Sequence, residues 1–316
     1  MENSVHISVV TPVYGCCESL TTLHARLNKT LLQLTESFEI IMVDDASLDN
    51  AWEIIKKLSK EDDKVKGIKL SRNFGQSQAI KAGLSYANGD WIVVLDCDLQ
   101  DQPEEILKLY SKAQDGYDIV FGNRYNRRDS LLKRIRSYLF FIIYNYLTDS
   151  TIDSRVSNFS IISKKVLSAL KQYREQNSAY TLSVNMLGFK RAEINIEHAK
   201  REHGKSSYTL TKLINIAIES IITQSNKPLS ISIKFGFVIS FFSIIYAIWL
   251  MGNYFISGVT PEGWTSVMVS LYFIGGLLFV NLGFIGLYIG KIFNETKSRP
   301  LYLIDEVTSS ESKLNK

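Results

Sequence analysis

Two rhythms of apolar and polar residues divide this chain. Before about residue 130, short β-branched runs alternate with stretches whose apolar residues recur every three or four positions. Past Ile231, apolar residues dominate without a rhythm. The β-branched runs predict strands over 5–13, 38–45, 65–71, 91–96 and 117–122. Helical spacing predicts a helix over 19–35, where Leu20, Leu23, Leu27, Leu31 and Leu34 share a face, and further helices over 48–60, 76–87 and 103–114. Strands alternating with helices predict an α/β fold on a mainly parallel sheet covered on both faces. Such sheets bind ligands beyond the carboxyl ends of their strands. Asp44, Asp45, Asp96 and Asp98 fall at such ends, so acids from two distant segments are expected to converge on one crevice.

Residues 130–148 set a basic start against a run of aromatic and aliphatic residues. The run is too short to span a bilayer, which needs about 20 apolar residues. Its arginines favour an interfacial helix, basic residues toward headgroups, over a buried core helix. Residues 208–226, with Leu210, Leu213, Ile214, Ala217, Ile218 and Ile221 on one face, are either a second interfacial helix or ordinary core packing. Two segments, 231–251 and 264–290, are long and apolar enough to cross a membrane. Lys227 and Lys234 precede or begin the first, and Lys291, Lys297 and Arg299 follow the second. This pattern predicts a hairpin in the cytoplasmic (inner) membrane, a multi-pass protein with both outer ends and the large N-terminal part in the cytoplasm. Gly286 and Gly290 form a Gly-x-x-x-Gly pair that seats another helix closely, the one pointer to a homo-oligomer. The expected divisions are 1–129, 130–230, 231–291 and a tail over 292–316 that is polar and disordered after Asp305.

Composition refines this picture. The 316 residues are 46% hydrophobic and 22% charged, enough for one sizeable domain plus an appendage. The N-terminal stretch, without a basic start and with a short apolar run into Pro12, does not read as a signal peptide. A net charge of +4 is too mild for a nucleic-acid partner. The excess is local: Arg124, Arg127, Arg128, Lys133, Arg134 and Arg136 crowd one segment, which suits an anionic partner or a membrane surface. Cys16, Cys17 and Cys97 offer no disulfide framework and favour a reducing cytosol, with Cys16 and Cys17 read as small fillers near a strand end.

The segment "VLDCDLQDQPEE" (94–105) places Asp96, Asp98 and Asp101 around Gln100. A solvated acidic turn capping the next helix explains one acid, not three. Carboxylates two positions apart at a strand end suit one hard cation, with the Gln100 carbonyl adding an oxygen. Mg²⁺ or Mn²⁺ fits, keeping waters and taking substrate phosphates as further ligands. No Gly-x-Gly-x-x-Gly follows the first strand and no Walker loop occurs, so a dinucleotide fold and a P-loop both lack their phosphate cradle.

"SVVTPVY", "IIMVDDASLDN", "SRNFGQSQAIKAGL" and "GDWIVVLDCDLQDQPEE", in this order, resemble family 2 glycosyltransferases of the GT-A fold. With "GYDIVFGNRYNRRDS", "HAKREHGKSSYTLTKLINI" and two membrane segments added, the chain is similar over about residues 5–300 to the polyprenyl-phosphate glycosyltransferases. That group includes dolichyl-phosphate mannose synthase, bactoprenol glucosyltransferase and the undecaprenyl-phosphate aminoarabinose transferase. The absence of Gln-x-x-Arg-Trp disfavours the processive branch.

The resemblance implies a GT-A nucleotide-diphospho-sugar transferase core (1–129), an acceptor region with interfacial helices (130–230), a two-helix transmembrane hairpin and a cytosolic tail. It implies a nucleotide sugar, with UDP as the nucleotide, bound by Thr11, Pro12, Tyr14, Asp44, Asp45, Asn73 and Gln76. Asp96, Asp98 and Gln100 would surround the metal that bridges the donor diphosphate. Arg124 and Lys133, with Arg127 and Arg134 nearby, would lie near the phosphates. Arg201, Lys205 and Ser206 fall in a segment similar to the acceptor loop.

Two departures stand out. The usual Tyr-Asn-Glu after the first strand reads Tyr14-Gly15-Cys16, leaving Glu18 as the replacement glutamate. The usual Phe-Arg reads Phe159-Ser160, leaving Arg155 or Lys164 as ligands for the lipid phosphate.

A polyprenyl phosphate acceptor, undecaprenyl phosphate in bacteria, has a second pKa of about 6 and needs no strong base. Attack from the opposite face inverts the anomeric carbon, with Asp153 orienting the acceptor. Two rival readings stay open. One is transfer to a sugar hydroxyl of a lipid-linked glycan, with Asp153 as base; the other is a nucleotide-binding membrane scaffold.

Overall fold

The structure is a computed structural model and describes residues 5–124, 142–148, 156–172, 179–197, 218, 221–222, 225–257 and 263–308. By its internal contacts the chain forms two units. The first comprises residues 1–137, 152–207 and 300–316, and the second residues 138–151 and 208–299.

The first unit opens with β1 (Ile7–Val13), α1 (Cys17–Leu31), β2 (Phe38–Asp44), α2 (Ala51–Glu61), β3 (Val65–Leu70), α3 (Gln76–Tyr86) and β4 (Trp91–Val94). A 3₁₀ turn (Pro103–Glu105) leads into α4 (Ile106–Gln114), then come β5 (Ile119–Arg124), β6 (Val156–Ser163), α5 (Lys164–Leu170), α6 (Tyr180–Met186) and β7 (Arg191–Ile196). The last strand, β8 (Ile304–Val307), follows the second unit in sequence. The eight strands make one sheet in the order β7-β5-β6-β4-β1-β2-β3-β8. β4, β1, β2 and β3 run parallel, as the alternation of strand and helix predicts. β6 runs antiparallel to β4 and β5, and β8 antiparallel to β3, so the sheet is mixed at its flanks.

The buried side chains sort by parity along the strands, as period-2 geometry requires. Val9, Val13, Val93 and Leu95 join the core under α1, α2 and α4. Val10, Ile92 and Val94 join the core under α3, α5 and α6. Close packing on this second face depends on Gly83: a Cβ there would lie 2.4 Å from Val10 Cγ1 and 3.0 Å from Val43 Cγ2. α3 therefore approaches β1 and β2 where no other residue fits.

Three strands went unread in the sequence. β6 is interrupted by serines, yet Ser157 and Ser160 are buried because each has a partner: Ser157 Oγ donates to Gly122 O at 3.2 Å, and Ser160 Oγ pairs with Tyr180 OH at 2.9 Å. β7 alternates Ala192, Ile194 and Ile196 with charged or polar residues, a strand signal hidden by its charge. β8 corrects the expected disorder past Asp305. Asp305, Glu306 and Val307 are strand, with Ile68 opposite Val307 and Lys69 opposite Glu306. Trp52 Nε1 donates to Glu306 Oε2 at 3.0 Å, and Gly67 N–H donates to Thr308 Oγ1 at 2.7 Å.

The second unit holds α7 (Lys227–Ser257) and α8 (Trp264–Thr296), whose apolar side chains are largely exposed along their length. Stretches of 27 and 31 residues in them are long and apolar enough to cross a membrane. Ser232 Oγ and Asn281 Oδ1 form a hydrogen bond between the two helices, and Asn281 Nδ2 donates to Leu277 O at 2.9 Å. Asn281, an isolated polar residue in sequence, is thus a clasp between apolar helices. Residues 142–148, the end of the first expected interfacial helix, are helical, and Lys227 Nζ donates to Tyr146 O at 2.9 Å. Most of 130–148 and 208–226 lies outside the described residues.

Candidate active site

The sheet order reverses beside β1: β2 and β3 lie to one side and β4 to the other. Ligands of open α/β sheets bind at such a switch point, beyond the carboxyl ends of the strands. Four loops meet there, following β1, β2, β3 and β4. Each contains a residue at positive φ: Gly15 (67°), Ala46 (53°), Gly75 (97°) and Leu99 (58°). For alanine and leucine this conformation is uncommon and costs energy. The strain falls where the chain turns sharply away from the sheet and leaves side chains at its rim.

Asp44 and Asp45 end β2 and are almost fully buried. Asp44 Oδ1 accepts the Ser47 N–H at 3.1 Å. Asp45 accepts one backbone N–H at each oxygen, from Phe74 at 2.7 Å and from Gly75 at 2.8 Å. It thereby fastens the loop after β3 to the end of β2. Burial raises the Asp45 pKa above the ordinary value, and Asp44 adds to this; the two N–H bonds and Arg72 oppose it. Arg72 packs over the Phe74 ring at 4.2 Å. From the loop after β1, Gly15 N–H donates to Ser47 Oγ at 3.3 Å and Cys17 N–H to Asp49 Oδ2 at 3.0 Å.

β4 stops at Val94, two residues short of Asp96, but burial keeps alternating past it. Leu95, Cys97 and Leu99 are buried, whereas Asp96, Asp98 and Gln100 are half-exposed. Gln76 Nε2 donates to Asp96 Oδ1 at 2.6 Å, and Asp98 Oδ1 accepts the Gln100 N–H at 3.2 Å. Asp101, the third acid of the segment, is buried at 1% exposure. Two half-exposed carboxylates with an amide oxygen nearby are hard donors, and they fit a divalent cation that completes its shell with phosphate and water. Among the described residues, no group of three His, Cys, Asp or Glu side chains forms a cage by itself.

Other expected residues fall differently. Tyr14 is half-exposed at the end of β1, and Asn73 and Gln76 are exposed on the loop and helix after β3. Thr11 and Pro12 are buried inside β1, with Thr11 Oγ1 lacking a hydrogen-bond partner. Glu18 is exposed in the first turn of α1. Only the backbone of Arg124 is described, at the end of β5 opposite Ile196. Arg127, Lys133, Arg134, Asp153, Arg155, Arg201, Lys205 and Ser206 lie outside the described residues.

Lys164 is a correction. Its backbone N–H donates to Asp90 O and its Nζ lies 3.5 Å from Asp90 Oδ1, at the amino end of β4. That is the end of the sheet opposite the acids, so Lys164 does not stand in for a phosphate ligand at this crevice. The cysteines are a second correction. Cys16 and Cys97 form a disulfide, with Cα atoms 6.4 Å apart and a sequence separation of 81. Neither spacing nor a Cys-x-x-Cys pair signals it; the bond follows from β1 and β4 being neighbours in the sheet.

Comparison with known proteins identifies relatives along nearly the whole chain. Residues 8–171 match the family described as glycosyl transferase family 2. The chain is 34% identical over 304 residues to an undecaprenyl-phosphate 4-deoxy-4-formamido-L-arabinose transferase of Photorhabdus laumondii, across 95% of this chain and 94% of that one. It is 33% identical over 314 residues to a glycosyltransferase of Bacillus subtilis, YkcC, across 99% and 97% of the two chains. A solved glucosyl-3-phosphoglycerate synthase of Mycobacterium tuberculosis, in complex with Mn²⁺, UDP-glucose and phosphoglyceric acid, aligns with a TM-score of 0.52 at 17% identity, over 69% of this chain and 78% of that one. This last likeness is one of fold. A switch-point crevice rimmed by the ends of β2 and β4, a family match over these strands and relatives that align from end to end lead to one conclusion: the chain belongs to glycosyl transferase family 2 and is a glycosyltransferase of the GT-A fold.

Proposed function

We propose that this glycosyltransferase moves a sugar from a UDP-sugar to a polyprenyl phosphate, undecaprenyl phosphate in a bacterium, at the cytoplasmic face of the membrane, with inversion. The observation that carries the reading is similarity to an undecaprenyl-phosphate transferase over 95% of the chain, a span that includes both apolar helices. In this reading the crevice beside β1 takes the donor. Asp45 already accepts one N–H at each oxygen, but each carboxylate oxygen has a second lone pair. That leaves acceptor capacity for an imide N–H of the base or a ribose hydroxyl. Asp96 and Asp98, with Gln100, would hold Mg²⁺ or Mn²⁺, which offsets the charge of the diphosphate leaving group. Gln76 fixes one oxygen of Asp96 and so limits how that carboxylate turns.

The acceptor phosphate is largely deprotonated near neutral pH and brings its own nucleophilic oxygen. The chain must then reduce repulsion between two anions, and Arg124, Lys133 and Arg201 are assigned to this. Arginine offers a bidentate fork. Asp153 orients the acceptor and removes no proton.

The test uses purified full-length enzyme in detergent with a panel of UDP-sugars. Addition of undecaprenyl phosphate should start nucleotide release and produce a lipid-linked sugar. Arg201→Ala or Lys133→Ala should lower the rate at saturating donor by about 2–5 kcal/mol of lost charge-assisted contact, roughly thirtyfold to several-thousandfold. Asp153→Asn should be mild. A nearly inactive Asp153→Asn beside an active Arg201→Ala would transfer the assignment to a hydroxyl acceptor.

A further inference from the structure

The Cys16–Cys97 disulfide lies at the crevice beside β1. It joins the loop after β1 to the loop after β4, the two strands between which the sheet order reverses. Cys97 stands between Asp96 and Asp98 in sequence and is buried, packed in the core with Leu95 and Leu99, while the two acids beside it are half-exposed. Its side chain is therefore the inward anchor of the segment whose outward residues are the acids. A second tie runs beside the disulfide. Ser19 Oγ lies 2.6 Å from Cys97 O and 2.8 Å from Cys16 O, so one hydroxyl proton is shared between carbonyls of the two loops. The third cysteine, Cys17, is free.

We infer that the Cys16–Cys97 bond is a positioning device for the divalent cation: oxidised, it holds Asp96 and Asp98 in place, and reduced, it lets that segment loosen without removing any ligand. The inference rests on the cation assignment made above for Asp96 and Asp98. The switch balances as ordinary thiol–disulfide exchange. A dithiol reductant supplies two electrons and two protons, the Sγ–Sγ bond breaks to two thiols, and the reductant leaves as its own disulfide. A low-molecular-weight disulfide reverses the step. Disulfides in a reducing cytosol are uncommon, and those present tend to be transient or redox-sensing. A cytosol-facing crevice would thus bind its cation according to thiol–disulfide balance.

The experiment compares oxidised and dithiol-reduced full-length enzyme, with the free-Mn²⁺ electron paramagnetic resonance signal read during titration in the presence of UDP. Titration of thiols after denaturation should count one in the oxidised protein and three in the reduced. Reduction should raise the Mn²⁺ concentration at half-saturation about tenfold, the lower end of what loss of an orienting partner outside the ligand set does to metal affinity. Cys16→Ser should behave like reduced enzyme in both conditions, and Cys17→Ser should respond like wild type. Three thiols after treatment with a disulfide oxidant would overturn the inference. So would equal Mn²⁺ affinity in both forms, which would leave the cation assignment standing. Absence of Mn²⁺ binding in either form would instead strike the cation assignment itself and take the inference with it.

Discussion

At the scale of single residues, Asp45 carries two duties that one substitution separates. Its carboxylate provides one oxygen to each of two backbone N–H groups, and it is charged at a site where burial raises its pKa. Asp45→Asn removes the buried charge but leaves one N–H facing an amide NH₂. The two effects on stability oppose each other, so the melting temperature should change little. UDP affinity should fall, because the donor loses an anionic acceptor for its base or ribose; a hydrogen bond to a charged group contributes about 1.5–3 kcal/mol, roughly ten- to a hundredfold in affinity. Calorimetric titration with UDP checks this, and unchanged affinity would remove Asp45 from the donor site. The four acids Asp44, Asp45, Asp96 and Asp98 were legible in the sequence because strand ends are legible. The partners that give them shape were not. The N–H groups of Phe74 and Gly75 have no sequence signature, and the Cys16–Cys97 pair depends on which strands are neighbours.

At the scale of elements, helices with one clear apolar stripe were readable to within a few residues. The boundaries moved where side chains compete for the backbone. The helix expected from residue 48 starts at Ala51, whose N–H is taken by Asp49 Oδ1 at 3.2 Å. The far end of α2 is tied to α1 through Asp62. His24 Nε2 and Asn28 Nδ2 lie 2.8 and 2.9 Å from Asp62 Oδ2, and Lys64 N–H donates to Oδ1 at 3.0 Å. Burial would raise the Asp62 pKa, but the hydrogen bonds from Asn28, Lys64 and His24 outweigh it, and the net shift is downward. A lowered carboxylate pKa stabilises the fold above the unfolded value of 3.8, and this contribution is lost as the pH falls through the folded value. Asp62→Ala should therefore lower stability near neutral pH by about 1–3 kcal/mol and matter progressively less in strong acid. Melting curves of both proteins across acidic and neutral pH would show it. A gap that stays constant with pH would mean the carboxylate charge plays no part.

At the scale of the whole chain, the central parallel strands and the two long apolar helices were legible because each has an unbroken apolar pattern. The flanks of the sheet were not, since β6 buries serines and β8 lies beyond the hairpin in sequence. β8 covers β3, which without it would be an edge strand with unpaired backbone groups. Removal of residues 303–316 should lower the melting temperature and yield higher oligomers in size-exclusion chromatography; a monodisperse protein of unchanged stability would show that β8 adds nothing. The order of synthesis gives this strand another meaning. A ribosome makes β1 to β7 first, then both long apolar helices, and only then β8. The sheet must wait, with β3 open, until both long helices have been made. During that delay the nascent chain displays a bare strand edge to every neighbour in the cell. Lys66 and Lys69 lie on that strand, where charge discourages pairing with strangers. They guard the unfinished protein, and when β8 arrives Lys69 pairs with it, its Nζ lying 3.6 Å from Asp305 Oδ2.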